Sequence, residues 1–261
     1  MATQPSAASR TLTVAGKEVA RIGLGTNRLT STPRNHTFLS EAVEAGLGLI
    51  DTAHVYSGGD SERAIGETLS PTPEGLVVAT KGAYSGSSSR EELQAQIEQS
   101  LGSLRTDAID LYYLHRVHRE TPLEHSLGAI AEYVEEGRIK EVGISAVSVE
   151  QVRAAREIVP IAAVQNHYNL TERSSDEVID YCEENGIVFV PYYPLKFDPP
   201  PALAEIAERH GASTAQIALA WLLRRSPVTL PIPGTLSIEH LRENLGALEI
   251  ELTDEEFEAL A

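Results

Sequence analysis

Ile109-Asp-Leu-Tyr-Tyr-Leu114, then Pro122-Leu-Glu-His-Ser-Leu-Gly-Ala-Ile-Ala-Glu-Tyr-Val-Glu-Glu136, then Val142-Gly-Ile144, set the pattern from which the fold follows. The first and third pieces are short apolar runs of strand type. The second repeats apolar residues near i, i+3 and i+4, the period of a helix with one buried face. The alternation continues outward in both directions. Apolar runs stand at 22–24, 47–50, 76–79, 109–114, 142–144, 161–164, 187–190 and 228–230. Helix-like segments lie at 34–45, 60–69, 90–104, 122–136, 148–157, 173–184, 213–225 and 237–246. Ser89, Ser148 and Ser213 stand where an N-cap would start a helix, and Gly46, Gly137, Gly186 and Gly211 where a left-handed residue would stop one.

Ahead of this series, Thr11 to Val14 and Lys17 to Ala20 alternate around Ala15-Gly16 and predict a small hairpin. Segments 201–210 and 254–260 predict two extra short helices. Eight strand–helix pairs in 261 residues predict an α/β fold, a single (β/α)8 TIM barrel over 11–261 with the N-terminal β-hairpin plugging one end. Residues 1–10 are expected to be a flexible N-terminus. A doubly wound open sheet is the alternative.

Hydrophobic residues make up 42% of the chain and charged residues 23%, enough apolar material for a large core. Asp and Glu number 38 against 21 Lys and Arg, a net charge of −17 that repels nucleic-acid backbones and anionic membranes. The only lysines are Lys17, Lys81, Lys140 and Lys196, a scarcity that suits a salty cytoplasm or an ordinary acidic enzyme. Cys182, set among Asp180, Glu183 and Glu184, reads as structural. Met1 to Arg10 has no apolar signal core, and no segment approaches the ~20 apolar residues of a membrane helix. A cytoplasmic monomer without nucleic-acid or membrane partners is expected.

In such a barrel the chemistry gathers at the C-terminal strand ends. These carry Gly25-Thr26-Asn27, Asp51 with Tyr56 in its loop, Lys81, His115, Ser145, Gln165-Asn166-His167, Tyr192 and Pro233-Gly234-Thr235. Tyrosine ionises near ~10, so a proton-donating Tyr56 needs something to stabilise its phenolate. Lys81 would lower its pKa, Asp51 would hold the ammonium, and His115 would orient a carbonyl oxygen. Such a group supplies a proton but no electrons, so a reduction needs a hydride carrier.

These residues resemble the aldo-keto reductases. The likeness rests on Gly46 to Tyr56 followed by Ser61-Glu62 and Gly66, Val78-Ala-Thr-Lys81, Asp110 to His115, and Gly143-Ile-Ser145. It extends through Val164-Gln165, Tyr192-Tyr193-Pro194-Leu195, and Ile232-Pro-Gly-Thr235 to Asn244. It covers nearly the whole chain from Thr11.

The resemblance implies NADPH-dependent reduction of a small-molecule carbonyl, with Tyr56 as proton donor, Lys81 and Asp51 tuning it, and His115 orienting the substrate. It also implies that Ser145 and Gln165 hold the nicotinamide amide, Tyr192 stacks on its ring, and Thr26 and Asn27 touch it. Leu195 would meet the pyrophosphate through its backbone, and Ser237, His240, Arg242, Glu243 and Asn244 would meet the adenosine end.

The sequence departs from the family pattern in two places. Ala146 stands where many members have Asn, and Gly234, Thr235 and His240 replace the residues that grip a 2′-phosphate, leaving Arg242 as the substitute and NADH as an alternative cofactor. The short loops imply an open site for aldehydes or ketones of modest size, and the C-terminal section resembles that of pyridoxal reductases.

His54, His118 and His167 read as pocket-rim or structural residues, Tyr112, Tyr113 and Trp221 as packing, and Tyr193 as facing either way. A metal-dependent hydrolase lacks a sufficient ligand set, so no metal is expected. Gly23-x-Gly25 does not complete a dinucleotide fingerprint. A cofactor-binding regulatory barrel without turnover is the remaining alternative.

Overall fold

The computed structural model describes residues 9–84, 89–118 and 120–260. Strands β1 (Thr11–Val14) and β2 (Lys17–Ala20) pair antiparallel through Ala15 and Gly16. Both turn residues have positive φ, as a two-residue hairpin turn matched to strand twist requires. Seven further strands form one parallel sheet in chain order: β3 (Leu24–Gly25), β4 (Leu49–Asp51), β5 (Val77–Gly82), β6 (Ile109–Leu114), β7 (Ile139–Ser145), β8 (Ile161–Gln165) and β9 (Val188–Phe189).

The helical crossovers follow the predicted segments closely. They are α1 (Pro33–Glu44), α2 (Asp60–Leu69), α3 (Arg90–Leu104), α4 (Leu123–Glu135), α5 (Val149–Arg156), α6 (Asp176–Asn185), α8 (Thr214–Arg225) and α9 (Ile238–Gly246). The two extra helices are α7 (Ala202–His210) and α10 (Asp254–Ala259). Ser89, Ser148 and Ser213 accept from backbone N–H groups as N-caps, the last two within complete capping boxes.

The expected eighth strand at 228–230 does not form a ladder. Instead, segment 228–234 bridges the two edges of the sheet. Leu230 N–H donates to Phe189 O and Phe189 N–H to Val228 O on one side, while Gly23 and Gly25 N–H donate to Pro231 O and Pro233 O on the other. Pro231 and Pro233 have no N–H to give, so regular pairing is lost although the sheet is closed into an α/β barrel.

Two cores divide the apolar residues. The larger lies between the sheet and its helices. The smaller fills the barrel with Leu49, Val77, Ala79, Leu111, Tyr113, Ala163, Val188, Val190, Leu230 and Ile232, and is plugged by Val14 and Val19 of the hairpin. Tyr113 fits there because β7 carries Gly143, where a Cβ would lie 2.4 Å from the phenol ring. Trp221, Tyr112 and Cys182 are buried in the outer core, and burial pushes the Cys182 thiol up to about 12.

Of the expected flexible stretch 1–10, residues 1–8 lie outside the described residues, while Ser9 and Arg10 are held. Arg21, itself buried, donates from its side chain to Ser9 O and from its N–H to Arg10 O, and Arg10 pairs with Glu249. No helix among the described residues is long and apolar enough to cross a membrane.

Candidate active site

Side chains alternate along a strand, so the barrel filling continues upward in steps of two. Leu49 leads to Asp51, Val77 and Ala79 to Lys81, Leu111 and Tyr113 to His115, Ala163 to Gln165, and Val190 to Tyr192. The same periodicity that packs the barrel therefore delivers these groups to its open end. A cleft of about 720 Å³ opens there, lined in part by Asp51, Tyr56, His115, Ser145, Gln165 and Tyr192.

Lys81 is fully buried beside the cleft floor. Its Nζ donates to Asp51 Oδ1 at 2.5 Å, to Thr52 O at 2.7 Å and to the Tyr56 hydroxyl at 3.5 Å. The last contact is long, as catalytic hydrogen bonds often are before substrate tightens them. Gln165 Nε2 donates to the other Asp51 oxygen at 2.8 Å, so both carboxylate oxygens are engaged.

The loop carrying Tyr56 is tied down from below. Ser61 donates to the Thr26 hydroxyl, Thr26 donates to Asp51 O, and buried Glu62 accepts from Thr80. Backbone strain gathers around the same loops: Ser57, Ala83, Ala146 and Tyr193, beside or near site residues, all have positive φ without being glycine.

Lys81 lowers the Tyr56 pKa as expected, but it does not set the net value. Burial raises the Tyr56 phenol above its ordinary value, and the pull of Lys81, opposed in turn by Asp51, does not overcome it. Tyr56 is therefore a phenol with its proton throughout the neutral range. Burial works against the Lys81 charge as well, but Asp51 and Tyr56 outweigh it and raise its pKa, keeping an ammonium in place. Burial, then Lys81, Arg116 and His54, push His115 down to about 2, which leaves a neutral imidazole. Its ring lies edge-on to Tyr56, with centroids 6.0 Å apart.

Thr26, Asn27, Ser145, Gln165, Tyr192 and Leu195 all line the cleft. Ser145 and Gln165 are register partners on β7 and β8. Tyr192 stacks on His167 at 5.4 Å and meets Tyr193 edge-on at 5.3 Å. Ser237, His240, Arg242, Glu243 and Asn244 lie at and along α9, outside that lining. Ser237 caps α9 and donates to Glu239, which places a carboxylate at the end expected to meet adenosine.

The sequence reading did not assign Arg28, Tyr84, Arg116 and Lys196, all of which line the cleft, and left the facing of Tyr193, a fifth lining residue, open. Arg116 directly follows His115 and Tyr84 lies three residues past Lys81, so a wider window at the strand ends would have found both. Among the described residues, no cluster of three or more His, Cys, Asp or Glu is placed to hold a metal ion.

The model of the aldo/keto reductase family matches residues 21–198 and 193–261. The chain belongs to this family. Membership makes it an oxidoreductase, as its relatives are named. It is 37% identical over 273 residues to pyridoxine 4-dehydrogenase of Escherichia coli, covering 95% of this chain and 96% of that one.

Among solved structures, a thermostable aldo-keto reductase in complex with the inhibitor epalrestat superposes with a TM-score of 0.88 at 33% identity, covering 96% of this chain and 98% of that one. An aldo/keto reductase from Klebsiella pneumoniae in complex with NADP and acetate gives 0.86 at 28%, covering 96% and 94%. The closed α/β barrel is thus the scaffold shared with these aldo-keto reductases.

Proposed function

We propose that the protein reduces aldehyde or ketone groups of small molecules to alcohols with NADPH, using Tyr56 as proton donor. The observation that carries this reading is the contact of buried Lys81 with both Asp51 and the Tyr56 hydroxyl at the floor of one open cleft. The Klebsiella pneumoniae relative is a complex with NADP, and the residues here suit such a group. Ser145 and Gln165 sit side by side to meet a carboxamide, the Tyr192 ring offers a flat surface, and Arg28 and Lys196 supply positive charge for phosphates. When bound, the nicotinamide supplies the hydride.

The remaining chemistry falls to this chain. His115, neutral, donates from its ring N–H to the carbonyl oxygen and fixes its position. As the carbonyl carbon gains hydride, its oxygen becomes alkoxide-like and far more basic than a phenolate. Tyr56 can then give up its proton even with a raised pKa, and the Lys81 ammonium stabilises the phenolate that is left. Asp51, held by Gln165, keeps that ammonium charged and aimed.

Fluorescence titration with NADPH and NADH, followed by absorbance-monitored oxidation of the preferred cofactor, tests the reading. The carbonyl panel begins with pyridoxal and other aromatic aldehydes, because one relative is a dehydrogenase named for pyridoxine. Tight binding and carbonyl-dependent oxidation are expected. Binding without oxidation would favour a regulatory barrel, and no binding would remove the reductase.

A further inference from the structure

We propose that Arg116, resting on the ring of Tyr84, is a subsite for an anionic group on the carbonyl substrate. The preferred substrates are then aldehydes or ketones that also carry a carboxylate or phosphate. This inference rests on the reductase reading and names its substrate class.

The charge of the cleft is the starting point. The chain as a whole carries −17, yet Arg28, Arg116 and Lys196 line the cleft, where Asp51 is the only carboxylate among the described residues. Both oxygens of Asp51 are already held, by Lys81 and Gln165. Many cations elsewhere find partners among the abundant acids, such as Arg63 with Asp60, Arg138 with Glu98, and Arg225 with Asp176 and Asp180, although Arg21, Arg34, Arg153, Arg156 and Arg242 form no ion pair among the described residues. None of the three cleft cations lies in an ion pair among the described residues. On so acidic a surface, a pocket lined by unpaired cations focuses anions toward itself.

The cations divide by position. Arg28 follows Asn27 and Lys196 follows Leu195, the residues proposed to meet the cofactor, whose phosphates account for them. Arg116 follows His115, the group that holds the carbonyl. The Tyr84 ring lies 4.7 Å from His115, and the Arg116 guanidinium sits over that ring, 5.8 Å from its centroid. Tyr84 is one of two large hydrophobic side chains left exposed among the described residues, at 48%. A guanidinium held over an aromatic face by its charge spends no hydrogen-bond donor there, so its N–H groups stay available to a carboxylate or phosphate. Its charge also reaches the reacting end of the cleft, adding to burial and Lys81 in holding His115 below its ordinary value. Substrate bound at His115 therefore has a cation within reach across one aromatic ring.

The test compares 3- and 4-formylbenzoate with their methyl esters, which keep the aldehyde and remove the charge. In the unaltered enzyme, kcat/KM should favour the acids by about tenfold or more, mainly through KM and less so at high salt. Arg116→Gln should bring the acid-to-ester ratio to within about twofold of one, and Arg116→Lys should retain part of the preference. A ratio near one in the unaltered enzyme, or one that survives Arg116→Gln, would overturn the inference and leave the reductase standing. No oxidation of NADPH with either acid or ester, despite tight cofactor binding, would overturn the reductase reading and this inference with it.

Discussion

At the hairpin end of the barrel, Asp110 accepts from Lys17 with both oxygens, from Lys140 with one, and from the Val78 N–H. Lys17 spends its remaining contact on Leu76 O. At the cleft end, Asp51 accepts from Lys81 and Gln165, and Lys81 reaches beyond the carboxylate to Thr52 O and the Tyr56 hydroxyl. Both centre on a buried aspartate of the parallel sheet, but Lys17 comes from the hairpin and is partly exposed whereas Lys81 is fully buried. The lower group ties the hairpin to β5, β6 and β7, and the pocket that Asp110 lines holds only about 10 Å³. The upper one directs a donor to a phenol on an open cleft. Their difference lies in what the last donor of the lysine touches: backbone in one case, a proton-carrying side chain in the other.

Substitution at the two lysines should separate the roles most strongly. Lys81→Met is expected to lower turnover by about a hundredfold or more, because it removes the charge that stabilises the phenolate. A Lys81→Met enzyme of full activity would show that the phenol needs no ammonium. At the other end, Asp110→Asn should cost about 1–3 kcal/mol in urea unfolding while leaving kcat near its original value. A large fall in kcat at unchanged stability would make the lower group part of the chemistry and erase the contrast.

The pH profile sharpens the same comparison more gently. The folded-state pKa of Tyr56 lies above the ordinary tyrosine value, so the donor is fully protonated at neutral pH and is lost only as pH rises through that raised value. His115, depressed to about 2, takes up no proton until strongly acidic solution. Reduction should thus be nearly flat from about pH 6 to 9 in kcat, and fall only beyond the ordinary tyrosine range. A descending limb near neutrality would contradict the burial of Tyr56. Smaller still is the effect expected at Glu239, which accepts from Ser237 at the start of α9. Glu239→Gln should tighten NADPH by a few-fold relative to NADH by removing a negative charge near the proposed 2′-phosphate side.

The helices were legible because their ends are chemical: Ser148 and Ser213 close capping boxes, and Gly186 and Gly211 supply left-handed C-caps. Asp51, Tyr56, Lys81 and His115 were legible from strand-end position and from their order along the chain. Segment 228–234 was harder, since its apolar run reads as a strand while Pro231 and Pro233 remove the donors a ladder needs. The net pKa of Tyr56 was not legible at all. It depends on how deeply the phenol is buried, which no residue spacing reports, and burial outweighs the lysine that the sequence does reveal. Gln165 likewise gives no sequence sign that its amide serves Asp51.

The most direct test of the proton-donor assignment is Tyr56→Phe, which keeps the ring and removes only the hydroxyl. NADPH affinity, read by fluorescence, should change by no more than about twofold, while single-turnover oxidation of bound NADPH by an aromatic aldehyde should slow by roughly 10²–10⁴. Equal single-turnover rates for the two proteins would contradict the account.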